Sequence, residues 1–205
     1  AAAALLFALV ATANSGGYRY GVSDQAFYLP AIAKSLDPSL YPRDTPVLEA
    51  QMRLWLGDNV AAALAGGTRV NLPILAGVLY GLGLLMLGAA VAYFARGLGA
   101  SWLAVGVGLA VTALRHHITK TGANSLEGYF HPRMIAYALG LWALGCVLRR
   151  RYGAALLLVA AAGLVHTTAA LWFGAAVVAA AAWSADRRTI WGIVGGVALI
   201  CAGLA

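Results

Sequence analysis

The feature that most limits how this chain can fold is the run at residues 71–95, twenty-five positions without one Asp, Glu, Lys or Arg. As helix it measures about 37 Å, against a bilayer hydrocarbon core of about 30 Å. Other apolar runs lie at 1–13, 101–114, 131–148, 152–182 and 189–205. With 62% hydrophobic and 10% charged residues, the composition falls outside the soluble globular range. The short alternating segments of a membrane β-barrel are absent. The fold expected is therefore all-α, a polytopic transmembrane helical bundle of about six or seven spans or half-spans.

The expected layout is a single membrane domain over 1–205. A truncated first span at 1–13 is followed by an external loop at 14–70 and spans at 71–95, 101–114 and 131–148. A hairpin or one long span covers 152–182, and a truncated last span covers 189–205. The start without Met and the stop inside an apolar run read as the N-terminal portion of a longer protein. Its remaining C-terminal part is then one expected partner, beside membrane lipids. A signal-peptide core is the alternative for 1–13, although no small-residue cleavage site is clear. Within 71–95, Gly77 and Gly81 form a small-xxx-small pair suited to close helix packing.

The formal charge of +7 does not point to nucleic acid, because arginines cluster at span ends where lipid headgroups and topology require them. The two cysteines, Cys146 and Cys201, lie inside apolar runs and offer neither a disulfide framework nor zinc-ligand spacing. Short Arg-bearing connectors at Arg96, 149–151 and 187–188 read as cytoplasmic. They share one side only if 152–182 is a hairpin broken at LVHTT, 164–168. The loop at 14–70 and the polar interval at 115–133 then face outside together.

That first loop opens with GVSDQAFYLPAIAKSLDPSLYPRD, residues 21–44. Asp24 precedes an amphipathic turn or two carrying Phe27, Leu29, Ile32 and Leu36, and its plain structural role is a helix cap. Next, Thr45–Pro46 reads as an N-cap with proline at the first helical position. Leu48, Met52, Trp55, Leu56, Val60 and Leu64 then recur at helical spacing, opposite Glu49, Arg53 and Asp58. This pattern predicts one amphipathic helix along the membrane interface, with Trp55 at headgroup depth.

The polar groups expected on the external face are Asp24, Asp44, Glu127, His131, Arg133 and His166. Ionisable groups beside or within spans are costly and often functional. Glu127 also fits a first-turn acid, and His131 and Arg133 fit interface anchors. His116 and His117 have no third ligand at metal spacing. His166 needs a polar setting inside an otherwise apolar run.

This order of an acid-opened loop, short spans, a second acid before the fourth span and a polar break in a long apolar hairpin resembles the N-terminal module of the GT-C superfamily. These are polytopic membrane glycosyltransferases such as the protein O-mannosyltransferases and aminoarabinose transferases. The stretch SDQAFYLPAIAKSLDPSLYPRD is similar to that family's external-loop motif, an acid-acid or acid-x-acid followed by an aromatic and a helix. Gln25 stands where many relatives carry a second acid, a departure that bears on metal binding and activity.

The resemblance implies transfer of a sugar from a polyprenyl-phosphate donor to an acceptor at the outer membrane face. It sets Asp24 at the position of the family's catalytic or metal-binding acid, and matches Glu127 to the second acid and His166 to the polar hairpin residue. The chemistry implied needs a general base, Asp24, and cations at the phosphate, Arg133 with Lys120 or His131. Glu127 would orient the acceptor or share a divalent ion, Mg or Mn, with Asp24, and His166 would touch the phosphate or sugar. The location implied is the plasma (inner) membrane of a bacterium, with the long loop outside. Two other readings stay open. One is a transporter or flippase whose broken helix at 164–168 lines the substrate site. The other is a catalytically silent GT-C-like membrane protein.

Overall fold

The computed structural model describes residues 2–54, 56–114, 124, 126–184 and 186–203. Every element among them is an α-helix: α1 (Ala2–Asn14), α2 (Gln25–Leu36), α3 (Thr45–Leu54), α4 (Leu56–Thr68), α5 (Leu72–Gly97), α6 (Trp102–Ala113), α7 (Pro132–Leu148), α8 (Tyr152–Val165), α9 (Thr167–Ser184) and α10 (Arg187–Gly203). The all-α expectation therefore stands at the level of class.

Local chemistry sets several boundaries. Asn71 caps α5, its Oδ1 accepting from the Ile74 amide at 3.0 Å, with Pro73 in the first turn. Ser101 caps α6 in the same way, accepting from the Ala104 amide at 3.2 Å. Among the described residues, Leu72–Gly97 is the one helix long and apolar enough to cross a membrane by length and composition. The apolar helices Ala2–Asn14, Trp102–Ala113, Pro132–Leu148 and Tyr152–Val165 are shorter, because caps, His131–Pro132 and His166 interrupt the runs.

The core runs through α7, which carries Met134 and Ala138 into one apolar cluster, Ala143, Cys146 and Val147 into a second and Ala136 into a third. Small residues let its neighbours close in. A Cβ on Gly140 would lie 2.1 Å from the Phe173 ring of α9, and one on Gly145 would lie 2.6 Å from the Tyr93 ring of α5. The expected Gly77–Gly81 contact is only half made. Gly77 faces Tyr18, whereas Gly81 meets nothing within 4 Å, and α1 instead presses Phe7 onto Gly88.

Packed helices run in both senses: α5 lies parallel to α7, with Gly83 against Met134 and Ile135 and Gly97 against Leu148 and Arg149. Phe7 meets Gly88 while Tyr18 meets Gly77, so α1 runs antiparallel to α5. The Asn14 amide donates to the Ala113 carbonyl at 3.0 Å, which joins the C-terminal ends of α1 and α6. The run 152–182 divides at His166, and α9 folds back on α8: a Cβ on Gly174 would sit 3.7 Å from Val159. One end of the bundle thus collects the starts of α5 and α7 and the α8–α9 turn. The opposite end carries Arg96 and 149–151 and the start of α10, where Arg149 donates to the Tyr93 carbonyl at 2.9 Å and covers its ring.

The helices α2, α3 and α4 sit over the first of these ends. The interfacial helix expected after Thr45 is described as α3 and α4, on either side of residue 55, with side-chain bonds between them. The Gln51 amide donates to Asp58 at 3.0 Å and Asn59 donates to the Met52 carbonyl at 2.8 Å. Asp58 is then not on a solvated face: it is 2% exposed. Trp55 lies outside the described residues.

Candidate functional site

Between the helical cap and the bundle end lies a cavity of about 310 Å³, lined by Asp24, Phe27, Tyr28, Gln51, Asp58, His131, Pro132, Arg133 and His166. Four separate pieces of chain meet there. The start of α2 supplies Asp24, the folded α3–α4 pair supplies Gln51 and Asp58, the start of α7 supplies His131 and Arg133, and the α8–α9 turn supplies His166.

Asp24 occupies the N-cap position of α2, yet its side chain makes no capping hydrogen bond. Oδ2 instead lies 3.0 Å from His131 Nε2 and 3.9 Å from Arg133 Nη2. Ser23, one residue earlier, holds a left-handed φ of 53°, an uncommon conformation for a residue with a Cβ. Such residues persist where surrounding contacts over-determine them, often beside functional groups. The Asp24 side chain is 53% exposed, so its carboxylate stands at the cavity mouth.

His131 caps α7. Its Nδ1 accepts from the Arg133 amide at 3.1 Å, which leaves the ring proton of the neutral imidazole on Nε2, facing Asp24. Burial first, then the Arg133 charge, pull the imidazole down from 6.5 to about 4, against the opposing pull of Asp24. His131 is neutral at pH 7 and donates to Asp24. His166 stacks at 5.8 Å from it, and its Nδ1 accepts from the Ala169 amide at 3.2 Å, so it caps α9. Burial, then Arg133, lower its pKa as well.

Glu127 is 4% exposed and sits behind Arg133 rather than on the cavity wall, with its Oε1 3.6 Å from Nη2. The Asn124 amide lies 3.2 Å from both of its carboxylate oxygens. Arg133 is thus held between Glu127 and Asp24. This does not fit the divalent ion expected between these acids, because a guanidinium already occupies the space between them. Among the described residues, no group of three or more His, Cys, Asp or Glu is placed to hold a metal. Lys120, His116 and His117 lie outside the described residues, and Asp44 lines a neighbouring cavity.

Sequence reasoning treated Gln25 as a lost acid. It is 0% exposed, and both ends of its amide are engaged: Oε1 accepts from the Gly21 amide at 2.7 Å, and Nε2 donates to the Phe130 carbonyl at 3.2 Å. The Tyr28 hydroxyl donates to the same carbonyl. Gln25 therefore ties α2 to the buried stretch 126–131 and is not part of the cavity wall. A Cβ on Gly128 would lie 2.9 Å from the Ser15 carbonyl oxygen, so that stretch also threads tightly past the end of α1. Two wall residues were missed as functional, Gln51 and Asp58. The signal present was a polar Gly-Asp-Asn interrupting an apolar helical face. Burial pushes the Asp58 carboxyl up from 3.8 to about 6, with the Gln51 hydrogen bond opposing.

No protein-family model, curated protein or solved structure matches the chain. Function is accordingly argued from the site itself.

Proposed function

We propose that this protein is a membrane glycosyltransferase-like enzyme that moves a sugar from a polyprenyl-phosphate donor to an acceptor hydroxyl at the outer face of a membrane. The observation that carries the reading is Asp24, a carboxylate at a helix N-cap that leaves its own helix to meet His131 and Arg133 at a cavity mouth. In the reaction, Asp24 takes the acceptor hydroxyl proton as the acceptor oxygen bonds to the anomeric carbon. The bond from that carbon to the phosphate oxygen breaks, and the electron pair leaves with the lipid phosphate. Arg133 stabilises the phosphate charge, Glu127 positions Arg133, and His131 fixes the Asp24 carboxylate.

A polytopic placement in the bilayer is part of this proposal. Large apolar side chains stand exposed along the helices, including Leu82, Leu103, Leu157 and Leu199, and lipid is the solvent that suits them. Exposed Trp102, Trp183 and Trp191 lie toward the Arg-bearing end, the arrangement of an interfacial aromatic belt. Helices too short to span alone are tolerated where neighbours shield their ends.

A transporter or flippase is the second reading, favoured by the break at His166 beside a cavity. The full-length protein in membranes, supplied with radiolabelled polyprenyl-phosphate sugars, separates the two. Wild type is expected to turn over at least one donor, and Asp24→Asn to lose about 10²–10⁴-fold while still inserting. Full turnover by the Asn variant would remove Asp24 as the base. Movement of label across the membrane without transfer would favour transport.

A further inference from the structure

The cavity walls differ in kind. Arg133, His131 and His166 stand on the side built by α7 and the α8–α9 turn, while Gln51 and Asp58 come from the cap and Phe27 from α2. Asp58 is almost fully buried, held through one oxygen by the Gln51 amide at 3.0 Å. Among the described residues no positive group pairs with it: the ion pairs of this region join Asp24 and Glu127 to His131 and Arg133. A buried carboxyl left without a cation is costly unless hydrogen-bond donors meet it. Phe27, on the wall of the same cavity, is an exposed aromatic. A carboxyl and an amide side by side read a hydroxyl-rich ligand, and an aromatic face covers the C–H side of a pyranose or furanose ring. The volume, about 310 Å³, is at the small end for ligand sites. One sugar ring with its phosphate fits that space.

We propose that Asp58, held by Gln51 in a cavity that Phe27 also lines, is the sugar-reading residue of this cavity and hydrogen-bonds ring hydroxyls of a single phosphate-linked monosaccharide whose anionic group lies toward Arg133. The inference rests on the glycosyltransferase reading above and adds to it the size of the transferred group and the residue that selects it. Burial that raises the Asp58 carboxyl also suits it to donate as well as accept hydrogen bonds near neutral pH.

The test uses the full-length protein in nanodiscs and two kinds of probe, decyl phosphate and the decyl-phosphate glycosides of glucose, mannose and arabinose. Wild type is expected to bind at least one glycoside about tenfold more tightly than decyl phosphate, the worth of about one good hydrogen bond to a charged group. Asp58→Ala is expected to erase that preference and leave decyl phosphate affinity within about twofold, since the phosphate contacts stay. Asp58→Asn, which keeps the volume, guards against a folding defect: a reduced preference at a thermal midpoint no lower than that of wild type supports the assignment. Equal loss of both ligands would make Asp58 structural and overturn it. A preference kept in both variants overturns it too, and leaves the glycosyltransferase reading standing. Wild type binding no glycoside better than decyl phosphate would overturn both.

Discussion

At a helix N-cap a short carboxylate ordinarily accepts from its own backbone. Asp24 forgoes that bond, and the cost is met by the neutral His131 proton and the Arg133 charge. Two buried groups of this site respond to pH in opposite senses. For His131 the folded value, about 4, lies below the unfolded 6.5, so its contribution is present above 6.5 and lost as pH falls through about 4. For Asp58 the folded value, about 6, lies above 3.8, so its contribution is complete below 3.8 and lost as pH rises through about 6. Thermal midpoints measured from pH 4 to 6 should therefore rise more steeply with pH in Asp58→Asn than in wild type, and less steeply in His131→Asn. Gln25 makes a further case. Gln25→Glu removes the donor to the Phe130 carbonyl, so a loss of about 1–3 kcal/mol is expected, with no gain in turnover. The identity of Asp24, His131, Arg133 and His166 as candidates was legible, because polar residues stand out in so apolar a chain. That Gln25 is a tie, and Asp58 a wall, was not, since neither burial nor a partner a hundred residues away is written locally.

Among the elements, α7 decides how tightly the bundle closes. A Cβ on Gly140 would overlap Phe173, so Gly140→Ala must push α9 outward. Overpacking of this kind costs about 1–3 kcal/mol. The same substitution at Gly81 meets open space and should leave the thermal midpoint unchanged or slightly raised. Because α9 begins at the His166 turn, Gly140→Ala is also expected to lower turnover, while Gly81→Ala leaves it intact. A small-xxx-small spacing names residues able to pack closely, but which helix arrives opposite them depends on the whole bundle. The pair at Gly77 and Gly81 was visible in sequence, yet the tight contacts fall at Gly88, Gly140 and Gly145. Similarly, the helical period after Thr45 was real. It did not reveal that Gln51 would meet Asp58 or that Asp58 would be buried.

Over the whole molecule, the cavity and the short Arg-bearing connectors lie at opposite ends. The cavity, the cap and the start of α7 share one end, and Arg96 and 149–151 share the other with the start of α10. If the bilayer lies between them, a Ser39→Cys variant should react with an impermeant maleimide added to intact cells. An Arg150→Cys variant should react only after permeabilisation. Labelling of both from outside would rule out that placement.

The sequence by itself determined the helical class, the positions of the apolar runs, the polar step at 164–168 within the last long one, and the acid that opens the first loop. These follow from composition, spacing and caps, which act over a few neighbouring residues. Only the tertiary structure decided which of the polar groups meet. Asp24 and His131 are brought within 3.0 Å because the buried stretch 126–131 is pinned by Gln25, Tyr28 and the end of α1. Glu127 is turned behind Arg133, and Asp58 is folded onto the cavity wall. Contacts of that range depend on how whole helices pack, and a local pattern carries no record of what will lie opposite it.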